Sequence, residues 1–231
     1  MDRLKRPICD MMGWVRAFIF DEDQLPAPQL VHFVGRPRGG DPLPPAVGHL
    51  DAEERLANIL TTGGLTAFPV HGTNGTPVIG ASDISPADLE AAFRTGLNTR
   101  GPFAPWALVL SRESMWDAGA RPVIYADHVR ARIVREALNS WSVGQEALVQ
   151  RVDLNVYRSD WTHEREWRWL PSAGRGELQV WPQLDAVIVG QPGWQPPNVH
   201  AHGDAPRVAR WWYTGGSLVD DGMIVDSSPF E

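Results

Sequence analysis

Apolar positions along the chain fall into short runs separated by proline, glycine and charge. LVHFVG (30–35) alternates Val31 and Phe33 against His32 and Val34, the period of a strand. DAEERLANILTTGG (51–64) repeats Leu56, Ile59 and Leu60 on one face, which predicts a helix with Asp51 as N-cap and Gly63 or Gly64 as its stop. TPVIGAS (76–82) reads as a strand, and SPADLEAAFRTGLN (85–98) as a helix with Ser85 at the cap and Pro86 in the first turn. WALVLS (106–111) and RPVIYAD (121–127) read as buried strands split by the short polar stretch RESMWDAGA. HVRARIVREALNSW (128–141) predicts a third helix with Val129, Ile133, Ala137 and Trp141 on one stripe. The remainder is mostly strand: REWRWL, ELQVW, LDAVIVG and RVARWWY.

Three modest helices among many short strands, without regular βα alternation, predict an α+β fold. The Pro/Gly stretches RPRGGDPLPP (36–45) and QPGWQPPN (191–198) punctuate a domain more naturally than they link two, so 1–231 is read as a single domain. Composition changes this picture little: 43% apolar and 21% charged residues are ordinary for a globular protein. No apolar run reaches the ~20 residues of a membrane helix, and Arg16 with the acidic cluster after it argues against a signal peptide. Cys9 is the only cysteine, which excludes an internal disulfide and fits a reducing cytoplasm. The net charge of −7 argues against a broadly phosphate-binding surface.

The common nucleotide and hydrolase fingerprints, GxGxxG after a strand, GxxxxGK[ST] and GxSxG, are absent. SDWTHEREWRWL (159–170) is the chemically densest segment, with two glutamates, a histidine, two arginines and three tryptophans. As a strand it places Glu164, Glu166 and Arg168 on one face and Arg165, Trp167 and Trp169 on the other. An edge strand with surface ion pairs is one reading; a carboxylate at a cleft rim held ionised by arginine is the other. His32 and Tyr125 taken singly read as core residues with a hydrogen bond. His163, His200 and His202 do not form a metal-ligand spacing, and no metal is expected.

The order LVHFVG, ERLANILTTGGL (54–65), PVIGASDIS (77–85), ARPVIYAD (120–127), EREWRWL (164–170), LDAVIVG (184–190) resembles the ADP-ribosyltransferase-like proteins of bacterial toxin and phage-defence systems, of the DarT and AbiGi kinds. The matching blocks lie within 30–190, which leaves 191–231 as a C-terminal β extension. The resemblance implies split, small antiparallel β-sheets with a few short helices, clasping NAD⁺ as substrate. It implies that His32 meets the adenosine-side ribose and that Glu166, with Glu164 as its neighbour, is the catalytic carboxylate. Tyr125 would stack on nicotinamide, Arg121 or Arg36 would lie near the pyrophosphate, and Ser82 is the nearest match to the family's middle serine motif.

Cleaving the nicotinamide glycosidic bond develops positive charge on the ribose, which a carboxylate stabilises while it orients a hydroxyl. The implied activity is mono-ADP-ribosyl transfer to a protein, nucleic acid or nucleotide, with NAD⁺ hydrolysis as a variant. The implied partners are that acceptor and an antitoxin or defence-system protein, with no membrane. A catalytically silent antitoxin or sensor binding a nucleotide or protein is the alternative, and an RNA 2′-phosphotransferase shares the general fold.

Overall fold

The computed structural model describes residues 29–35, 48–70, 72–96, 102–142, 144–152, 165–172, 176–197 and 208–224. Four helices lie among them: α1 (Ala52–Thr62), α2 (Pro86–Arg94), α3 (Arg112–Asp117) and α4 (His128–Trp141). The strands are β1 (Gln29–Phe33), β2 (Gly64–Thr66), β3 (Phe68–Pro69), β4 (Pro77–Ser82), β5 (Ala107–Ser111), β6 (Arg121–Pro122) and β7 (Ile124–Ala126). They continue with β8 (Val149–Arg151), β9 (Glu166–Trp169), β10 (Glu177–Gln179), β11 (Leu184–Val189), β12 (Val208–Tyr213) and β13 (Leu218–Ile224). The class is α+β, built on a mixed sheet.

Nine strands form that sheet in the order β13-β12-β11-β5-β1-β4-β9-β6, with β3 added on β4. Most pairs are antiparallel, but β11 and β12 run parallel. β1 is zipped to β5 through five registered pairs, from Gln29↔Ser111 to Phe33↔Ala107, yet meets β4 at the single pair Val31↔Ser82. The sheet therefore has a seam between β1 and β4. Leu30, Ile79, Leu108, Leu110, Trp169, Val187 and Val189 form one face, covered by Leu56, Ile59 and Leu60 of α1 and Met115 of α3. Val31, Val109, Ala186, Ile188 and Trp211 form the other, covered by Leu89, Ala92 and Phe93 of α2.

The helix ends follow their predicted chemistry. Asp51 and Glu54 make a reciprocal capping box at 2.8 and 2.9 Å, and Gly63 stops α1 with φ 70°, the left-handed geometry a side chain resists. Ser85 caps α2 and Pro86 opens it. Arg55 of α1 reaches back to the Val34 carbonyl at 2.9 Å and so fixes the end of β1 beside its helix.

The sheet arrangement and two elements differ from the sequence reading: in place of split, small antiparallel sheets, nine strands form one mixed sheet. RESMWDAGA contains α3, started by Ser111 bonding the Ser114 amide, because a short capped turn needs no apolar period. RPVIYAD is two strands with different partners: β6 pairs β9, and β7 pairs β8 in parallel. Tyr125 and Ala126 are only half-buried, so the segment is not a core strand. β7, α4 and β8 form a small βαβ unit, the connection parallel neighbours require.

Candidate functional site

Glu166 opens β9, and its backbone is held from several sides. Arg165 takes φ 40°, an uncommon left-handed geometry for a residue with a side chain, and this turn precedes the glutamate directly. The Arg165 carbonyl accepts the Asp83 amide at 3.2 Å, the Glu166 carbonyl accepts the Val123 amide at 2.8 Å, and the Glu166 amide donates to the Tyr125 hydroxyl at 2.9 Å. The local strain, of order 1–3 kcal/mol for such geometry, is thus offset by contacts from two separate segments, Asp83 after β4 and the stretch 123–125.

The side chain is held as firmly. Arg168 Nε donates to Glu166 Oε1 at 2.9 Å and its terminal nitrogen to Oε2 at 2.8 Å, a bidentate pair of two residues on one strand face. Arg168 is 2% exposed and Glu166 17%. The guanidinium also donates to Gln150 Oε1 at 3.0 Å and to the Ala147 carbonyl. β9 is therefore no solvated edge strand: it lies between β4 and β6, and its charged face is covered by the βαβ unit.

Gly80 connects this pair to the seam. It registers with Arg168 across β4 and β9, and a Cβ built on it would stand 2.9 Å from Glu166 Oε1, so its bare backbone leaves the carboxylate its place. Its carbonyl, in turn, receives His32 Nδ1 at 2.6 Å. A carbonyl only accepts, so in the neutral ring the proton resides on Nδ1. The imidazole thereby bridges β1 and β4 beyond their one registered pair. By strand alternation His32 belongs to the α1 face, and Ser82 and Glu166, which register with each other, to the α2 face.

The residues the sequence singled out thus separate. Ser82, Tyr125 and Glu166 come together at the start of β9, whereas His32, on the opposite face of the sheet, reaches the backbone carbonyl of Gly80. Arg121 does not join them: its guanidinium lies 3.9 Å over the Trp116 ring and donates to the Trp116 and Ala120 carbonyls at 2.8 and 2.7 Å. Glu164 and Arg36 lie outside the described residues, as do Cys9, His163, His200 and His202. No group of three or more His, Cys, Asp or Glu that could hold a metal occurs among the described residues.

Arg168 was singled out as the brace of the carboxylate; Gln150, Gly80 and Arg135 were not singled out from the sequence. A glycine inside an apolar strand run is a signal of close backbone approach, so Gly80 was readable. Arg135 of α4 donates to the carbonyls of Gly72 and Val149 at 3.1 and 2.9 Å. Its pKa is lowered, first by burial and then by the positive charges of Arg168 and Arg151, with Glu146 opposing. Three arginines therefore converge where the βαβ unit meets the sheet. Comparison of the chain with protein-family models, with curated proteins and with solved structures returned no match.

Proposed function

We propose that the protein is an NAD⁺-consuming mono-ADP-ribosyltransferase of the toxin or phage-defence kind, acting on a protein, nucleic acid or nucleotide. The observation that carries this reading is the start of β9, where Glu166 registers with Ser82 and its amide meets the Tyr125 hydroxyl, while His32 reaches the neighbouring Gly80 carbonyl across the β1–β4 seam. Each stands on a strand or at a strand end, the rigid placement that near-attack positioning demands. On this reading His32 addresses the adenosine-side ribose, Tyr125 the nicotinamide ring, and Glu166 the oxocarbenium-like ribose. Of the two arginines the sequence placed near the pyrophosphate, Arg121 is committed to Trp116, which on this reading leaves that part to Arg36.

A second reading draws on a different observation. Both oxygens of Glu166 are engaged by Arg168, the arrangement of a structural ion pair. A silent, nucleotide- or protein-binding relative would have that geometry without chemistry.

Nicotinamide release from NAD⁺ by the purified protein, with and without cell lysate, separates the two. The transferase reading expects release that Glu166→Gln abolishes, stimulation by lysate, and weaker NAD⁺ binding in His32→Ala, with both variants folded by circular dichroism. NAD⁺ left intact and unbound by folded wild-type protein refutes the enzyme.

A further inference from the structure

The apolar stripe of α4 does not face the core. Ala131, 3% exposed, is the buried residue of this helix, and Val134, Arg135 and Leu138 on the same side are half-buried. Val129, Ile133 and Trp141 on the outer stripe are 59%, 56% and 86% exposed, and Ala137 between them is exposed too. Three of the seven large exposed apolar side chains among the described residues are thus on one helix, a concentration that marks a covered surface.

We infer that a second copy of this chain covers it, the two α4 helices crossing antiparallel about a two-fold axis. The stripe is spaced purely at i+4, and two such ridges interdigitate at a crossing angle of roughly 50°. Its order also fits itself. A two-fold axis centred between Ile133 and Ala137 sets Ile133 of one copy against Ala137 of the other, and Val129 against Trp141, so that large meets small four times. An isologous interface of this kind uses one patch twice.

Charge points the same way. Arg132 and Glu136 are exposed, form the row alongside the stripe, and belong to no ion pair within the described residues. The same axis brings Arg132 of each copy alongside Glu136 of the other, giving two reciprocal ion pairs at the rim. Rim pairs of this sort select the partner and its orientation more than they add affinity. A membrane or an unrelated apolar partner has no use for that register.

Sedimentation equilibrium on the full chain tests this. The wild type is expected to be a dimer that dissociates on dilution, and Trp141→Ala to weaken it on the order of 30-fold, as loss of an aromatic anchor does. Arg132→Glu and Glu136→Arg are each expected to weaken it several-fold, and the double exchange R132E/E136R to restore it. None of these positions is buried, so circular dichroism should be unchanged throughout. A wild type that stays monomeric at about 100 μM, far above the micromolar limit of standard interfaces, overturns the inference. So does a dimer indifferent to Trp141→Ala, or single charge exchanges that the double does not repair. None of these outcomes depends on whether NAD⁺ is bound or cleaved.

Discussion

Replacing Arg168 by methionine preserves most of the apolar stem and removes the guanidinium. Four hydrogen bonds go with it: two to Glu166, one to Gln150 and one to the Ala147 carbonyl. The Gln150 and Ala147 oxygens then lose this donor at the interface with the βαβ unit, and Glu166 keeps its charge without its partner. Breaking a buried pair in this way costs about 3–5 kcal/mol. Glu166, 17% exposed, retains some access to water, which puts the expected loss at the lower end, about 3 kcal/mol. Against a net stability of ~5–15 kcal/mol for a typical domain, that is a large fraction.

Glu166→Gln should cost at least as much, since the guanidinium it strands is the more deeply buried charge. The double variant loses both charges together, so its cost should fall short of the sum by about 1–3 kcal/mol. Urea denaturation followed by fluorescence of the eleven tryptophans measures all four corners of this cycle. An Arg168→Met protein within ~0.5 kcal/mol of wild type, the range of an ordinary surface change, would refute the reasoning, as would an additive cycle.

Gly80→Ala should destabilise by ~1–3 kcal/mol, because its Cβ meets a carboxylate that Arg168 holds in place. The same change in a Glu166→Ala background should cost far less, and equal costs in the two backgrounds would show that the clash is elsewhere. Asp185, at the register shift of β11 and bonded to Gln29 at 3.3 Å, has a pKa raised chiefly by burial. The folded state then holds this proton more tightly than the unfolded one, so stability falls as pH rises above ~4, the ordinary aspartate value. Asp185→Asn should flatten that part of the profile and gain stability relative to wild type at neutral pH; parallel melting temperatures for the two proteins from pH 4 to 7 would contradict it.

What could be read from the sequence was local. Asp51, Gly63, Ser85 and Pro86 act through neighbours within a turn, and the caps they predict are the caps that form. Strand runs were legible for the same reason, from alternation along a few residues. The environment of Arg168 was not, because its burial depends on β9 entering between β4 and β6 and on β8 arriving over it. For α4 the helix and its stripe were legible, but not the side that packs. Its apolar period is real, but the helix docks through Ala131 and the stem of Arg135, and periodicity alone cannot say which side meets the core. Arg121 was placed near the pyrophosphate by the resemblance alone, whereas Trp116, on a helix the polar pattern concealed, is what claims its guanidinium.

The strand order has a consequence for how the protein is made. β1 emerges early in synthesis, yet its neighbours β4 and β5 follow later, and the outer edge of β5 is closed only by β11. At ~5–20 residues per second, the stretch from Ser111 to Val189 takes on the order of five to fifteen seconds to leave the ribosome. Throughout that interval Leu108, Val109 and Leu110, fully buried in the finished sheet, have one unpaired edge. A nascent chain of this topology is a natural client for chaperones that shield apolar strands until the last partner arrives.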